Sequence, residues 1–172
     1  MKFATILACL AAAFTAVCAP APQNTNLFVN GDFSEGLKGW RFENKSIAVV
    51  PDMKVDGKAV VALPGKSEIR QNFVIKDNTD YILTYKVKGV DIKVANPHRN
   101  GARFMLNANK MWQRATPMKD GVCMYGTFDW KNGEYRFNSK SFNGGGKLTI
   151  KIVLDCEGTL YVADVKLVEV AK

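Results

Sequence analysis

Enzymes need side chains that shuttle protons or attack bonds, and this chain of 172 residues is poor in them. It has one histidine, His98, set in the polar run Asn96-Pro97-His98-Arg99-Asn100. A serine or cysteine nucleophile would have to use that imidazole as its base. No Gly-x-Ser-x-Gly elbow accompanies it. Asp129, Glu134, Asp155 and Glu157 could in principle cleave a glycosidic bond as a pair, but they sit among turns without a recognisable pairing. No phosphate loop or dinucleotide fingerprint is present. The expectation is that the protein is not an enzyme. The residues do offer a place to hold a ligand. Trp112, Gln113 and Arg114 bring an aromatic ring, an amide and a guanidinium together in the stretch 109–125, which reads as long and irregular. Tyr125 ends that stretch and is the second exposed-aromatic candidate.

The segments that must position these groups read as strands. Tyr81, Leu83, Tyr85 and Val87 alternate with Thr84, Lys86 and Lys88, so one face is apolar and the other wet. Phe104 and Leu106 point inward between Arg103, Met105 and Asn107. Leu148, Ile150, Ile152 and Leu154 repeat the pattern. Ile47 to Val50 is a short strand stopped by Pro51 and Asp52. Asp56-Gly57 predicts a hairpin before Ala59 to Leu63. Asn30-Gly31 predicts a tight turn with positive φ. Phe33 and Trp40, large apolar groups in a polar loop, are expected to plug one end of a core. No useful length has helical periodicity. Many short strands separated by Gly and Asn turns argue for an all-β sandwich or jelly roll.

The chain carries a formal charge of +8. Its start reads as an export signal: Lys2, then an almost wholly apolar run from Phe3 to Val17, then small residues. That run is too short to favour a membrane span. Cleavage after Ala19 would leave residues 20–25 as a flexible leader and 26–172 as the domain, secreted or periplasmic. Thr15-Ala16-Val17-Cys18 is a poor lipid-attachment sequence, so anchoring at Cys18 is the lesser alternative. A basic domain invites anionic partners, although scattered lysines also serve solubility alone. Export moves nucleic acid down the list of partners. Cys123 and Cys156 remain after processing and could pair, closing a loop of about thirty residues worth roughly 3 kcal/mol.

Four stretches carry a family resemblance. The opening Asn30-Gly31-Asp32-Phe33-Ser34-Glu35-Gly36-Leu37-Lys38-Gly39-Trp40 is similar to the start of carbohydrate-binding modules of families four, nine and twenty-two. Ile69 to Gly89 and Gly126-Thr127-Phe128-Asp129-Trp130-Lys131 resemble their central units. Gly158-Thr159-Leu160-Tyr161-Val162-Ala163-Asp164-Val165 resembles their close, with Ala163 in place of the first Asp. The resemblance spans Asn26 to Val168 and implies a jelly-roll β-sandwich of the galactose-binding-like type. It also implies a structural Ca²⁺ held by oxygen ligands. Transferred by motif, those are Asp32, Ser34 and Asp164, with a carbonyl near Lys58; Ser34 stands where the family has Glu.

The resemblance further implies a non-catalytic protein that tethers to a polysaccharide. Trp112 would stack a sugar ring, with Gln113 and Arg114 binding hydroxyls and Tyr125 second. Lys86, Lys88, Arg103, Asn107, Arg136 and Lys151 would form a basic stripe if their strands are neighbours, suiting uronic or sulfated sugars. A solvated lysine face is the plainer account of the same residues. The alternative function is a structural or adhesion sandwich that binds a protein partner or the cell envelope.

Overall fold

The computed structural model describes residues 25–170. The predicted signal, the possible anchor at Cys18 and the leader, Thr25 excepted, lie outside them. Two five-stranded antiparallel sheets pack face to face. The first, sheet A, contains β1 (Arg41–Phe42), β4 (Ser67–Ile75), β9 (Gly146–Leu154), β6 (Ala102–Ala108) and β7 (Met111–Ala115), in that spatial order. The second, sheet B, orders β2 (Ala48–Val55), β3 (Lys58–Pro64), β10 (Glu157–Glu169), β5 (Asp80–Lys93) and β8 (Gly126–Asn138). This is the expected all-β sandwich. Among the described residues no helix is long and apolar enough to cross a membrane.

Alternation builds the core. Leu83, Tyr85 and Val87 of sheet B face Phe104, Leu106, Ile150 and Ile152 of sheet A, and all are buried. The Tyr85 and Phe104 rings stack with centroids 3.7 Å apart across the two layers. Trp40 lies within 5.2 Å of both Phe28 and Phe33 and closes one end, as its sequence setting predicts. Full burial of each such ring is worth about 2–3 kcal/mol.

The opening segment is laced to β10 without a turn of helix or a disulfide. Leu27 N donates to Leu167 O, Leu167 N to Asn26 Oδ1, and Val165 N to Gly31 O, all within 2.9 Å. Asn26 Nδ2 adds a bond to Val165 O. Asn30 takes the positive φ of the predicted turn, at 53°. Gly31 is needed for proximity instead: a Cβ there would lie 2.1 Å from Val165 O.

Two expectations are corrected. Pro51 and Asp52 do not stop β2, which continues to Val55 across a register shift between Val49 and Lys54. β2 is an edge strand, where a proline and a bulge at Asp52 (φ 59°) are tolerated. The stretch 109–125 is not wholly irregular either, because it contains β7.

Candidate functional site

β6 and β7 form a hairpin whose two connecting residues, Asn109 and Lys110, both have positive φ. Such a turn matches the right-handed twist of the strands. It lays Trp112 opposite Asn107, which lies opposite Thr149 on β9, which lies opposite Asn72 on β4. One cross-strand row on the outer face of sheet A therefore holds an indole, two amides and a hydroxyl. Trp112 is 59% exposed. Beside it runs an open groove of about 460 Å³ lined by Asn107, Lys110, Met111, Trp112, Lys147 and Thr149. Among the described residues, neither Lys110 nor Lys147 has a carboxylate partner within ion-pair distance.

The next rows on this face are held by charges. Glu68 is shared by Arg70 (2.7 Å) and Lys151 (3.2 Å). Arg103 pairs with Asp155 at 2.7 Å and also donates to Gly101 O. Asp155 in turn accepts from Gly101 N. Arg103 thus fastens the loop before β6. Arg114 likewise ties two loops, donating to His98 O (3.1 Å) and Gly121 O (3.3 Å). Gln113 points away from the groove and accepts from the Tyr135 hydroxyl at 2.7 Å, stitching β7 to β8 at the sandwich edge. These three side chains build the face more than they present themselves on it. Tyr125 is exposed in a separate, loop-walled pocket of about 580 Å³ with Pro97, His98, Pro117, Met118 and Lys131.

The predicted basic stripe is split and must be corrected. Lys86 and Lys88 are on β5 and Arg136 on β8, so they lie on the outer face of sheet B. There Lys86 pairs with Asp56, Lys88 with Asp129 and Arg136 with Glu134. Arg103, Asn107 and Lys151 are on the opposite face of the molecule. Strand pairing decides this: β5 takes β8 and β10 as neighbours, and β6 takes β7 and β9.

Cys123 and Cys156, the two cysteines that could pair, are free thiols in this structure and lie near enough that Cys123 acts electrostatically on Cys156. Cys123 is buried with its sulfur 4.0 Å from Arg103 Nη1, and Cys156 follows the Asp155 that neutralises that arginine. Burial, then the Asp155 charge, pushes the Cys156 thiol above its ordinary pKa.

The residues implied for calcium do not assemble a cage. Asp32 Oδ1 accepts from the hydroxyl and backbone N–H of Ser34, and Oδ2 faces Lys58 Nζ at 3.9 Å. The Ser34 hydroxyl, its N–H and then Lys58 hold the Asp32 carboxyl below the usual range. Asp164 Oδ2 pairs with Lys166 at 2.9 Å, leaving Oδ1 buried without a partner. Asp164 Oδ1 is therefore the one buried carboxylate oxygen here without a partner among the described residues, and calcium would need the rest of its six to eight oxygens from backbone carbonyls, Asp32, Ser34 and water. Among the described residues no three Asp, Glu, His or Cys side chains gather to share a cation.

The fold defines the class: a β-sandwich like that of carbohydrate-binding modules. Comparison with solved structures agrees. The chain is similar to a family 16 carbohydrate-binding module (22% identity, 83% of this chain and 99% of that one, TM-score 0.60). It is also similar to TmCBM61 in complex with β-1,4-galactotriose (19% identity, 83% and 97%, TM-score 0.55). A CBM22 xylan-binding domain of Paenibacillus barcinonensis Xyn10C matches at 12% identity over 78% and 87%, with TM-score 0.57. No protein-family model matches the sequence, and no curated protein does.

Proposed function

We propose that the protein, once exported, binds a polysaccharide without acting on it, through the outer face of sheet A. The observation that carries this reading is Trp112. An exposed indole on a strand, beside a groove with an amide and a hydroxyl in its own cross-strand row, matches the two sides of a pyranose. The apolar C–H face of the sugar stacks on the ring, and the equatorial hydroxyls meet Asn107 and Thr149. Similarity to modules described with galactotriose and as xylan-binding supports the substrate class. The unpaired ammoniums of Lys110 and Lys147 favour an anionic glycan, uronic or sulfated, over a neutral one. The carboxylates on this face, Glu68 and Asp155, are each neutralised by cations instead of facing one another across a cleft, which supports a non-catalytic role.

The test is retention of the purified protein on xylan, β-1,4-galactan, polygalacturonate and heparin at low and high salt, with Trp112→Ala in parallel. The expected result is strongest retention on the two polyanions and a loss of at least about tenfold in affinity in the variant, or roughly 1.4 kcal/mol. Binding that salt abolishes and Trp112→Ala keeps would overturn the stacking site. Binding to none of the four would overturn the glycan reading and favour a protein or envelope partner.

A further inference from the structure

The edge strand of sheet A does not end at Ala115. Ala115 lies opposite Phe104 on β6, and Met124 then lies opposite Ala102 through a pair of backbone hydrogen bonds of 2.7 and 2.9 Å. Residues 116–122 are an excursion that splits one edge strand into two parts. Ala102 and Met124 are both fully buried in the core. Arg103, next to Ala102, belongs to the outer side of the sheet, the side that carries Asn107 and Trp112, and Tyr125, next to Met124, is exposed where the chain crosses to β8 of sheet B. Trp112 is opposite Asn107, and Tyr125 is one step past the bridge, level with Gly101. Six residue steps, from Asn107 back to Gly101 just before β6, separate those levels, or about 20 Å along the chain.

The two exposed aromatic residues thus stand at opposite ends of one edge of the sandwich, the edge formed by β7 and β8. Between them lie Met105, opposite Arg114, and then Arg103. The far end differs in shape from the near one. At Trp112 the groove is open along the sheet face. At Tyr125 the loop 95–101 and the excursion rise as walls. Arg114 bonds to His98 O on one wall and Gly121 O on the other, and Arg103 fixes Gly101 at the base of the first. The pocket is preorganised by arginines that have no need to touch the ligand themselves.

We propose that the binding site is long: it runs along the split edge strand from Trp112 to Tyr125, and the loop-walled pocket holds the far end of the glycan. This rests on the glycan reading above and extends it to ligand length. A short oligosaccharide occupies the Trp112 groove alone. A chain that spans about 20 Å gains a second stacking partner in Tyr125, with Met118 and Pro97 beside it and Lys131 and Asp120 to meet its polar groups.

The experiment is a calorimetric length series of oligogalacturonates, di- to octasaccharide, and xylo-oligosaccharides of the same lengths. It is run on the exported chain and on Trp112→Ala, Tyr125→Ala and Met118→Ser. The expected result is an affinity that climbs with length until both rings are covered and then levels off. Tyr125→Ala loses about tenfold on the long members and nothing on the disaccharide, whereas Trp112→Ala weakens every length. Met118→Ser reproduces the length-selective loss to a smaller extent and guards against misfolding of the Tyr125 variant. An affinity that Tyr125→Ala and Met118→Ser leave unchanged at every length overturns the long site and leaves the Trp112 reading standing. If none of the oligosaccharides binds the unaltered protein, the glycan reading itself falls.

Discussion

Gln71 is buried in the middle of β4, yet both ends of its amide are used on one residue of the opening loop. Its Nε2 donates to Val29 O at 2.7 Å, and its Oε1 accepts from Val29 N at 3.1 Å. A buried amide is tolerated only when it is satisfied in this way. The same pair of bonds holds the loop carrying Phe28, Phe33 and Trp40 against sheet A. Gln71→Leu keeps the volume and removes both bonds. It is expected to lower stability by about 1–3 kcal/mol, seen as a lower urea midpoint at unchanged slope. An unchanged midpoint would mean that water replaces the clamp without penalty. Other single residues were harder to read beforehand. Arg103, Gln113 and Arg114 have the polar groups of a binding site, and nothing in their identity reveals that backbone carbonyls, a carboxylate and a tyrosine hydroxyl engage them.

The hairpin β6–β7 is the element on which the site depends. Asn109 sits at φ 48°, and its Nδ2 bonds to Phe142 O at 2.9 Å and Gly145 O at 3.2 Å. It therefore sets the turn and ties it to the loop before β9. An alanine there would have no such bonds, and holding it left-handed costs about 1–2 kcal/mol. Asn109→Ala is expected to fray β7 and weaken the proposed glycan binding. Asn109→Gly, which accepts the φ but not the bonds, should fall between that variant and the original chain. Hydrogen exchange of the β7 amides, measured beside affinity, checks the order; equal protection in all three proteins would dismiss the turn as a control point. This element was also the least legible. Strict alternation gave away β4, β5, β6 and β9, because each has one face in the core. β7 is an exposed edge strand whose turn lacks glycine, so only Asn109 signalled it. Trp112 was consequently expected on a loop, although its exposure and its neighbours Gln113 and Arg114 were in plain sight.

On the scale of the whole molecule, sequence alternation separates inward from outward residues but not one outer face from the other. That assignment comes from strand order, which depends on contacts distant along the chain. It is why Lys86 and Arg136 fall on one side and Arg103 and Lys151 on the other. The sheet B side closes its charges on itself, with Lys86, Lys88, Arg136 and Lys166 each beside a carboxylate. The same economy extends to the seam between the opening segment and β10. Related sequences led to the expectation of a metal there, but Lys58 and Lys166 already face Asp32 and Asp164, and four hydrogen bonds join the strands. The seam is therefore expected to hold without a divalent cation. A calcium site filled at a hundredfold over its dissociation constant would add about 2.7 kcal/mol. In a domain of this size that is a shift of several degrees in Tm. Melting of the protein in excess EDTA and in millimolar Ca²⁺ should instead give the same Tm. A fall of several degrees with chelator, restored by Ca²⁺ and absent in Asp164→Asn, would show that the orphaned Asp164 Oδ1 is a ligand and that Lys58 and Lys166 swing aside to admit the ion.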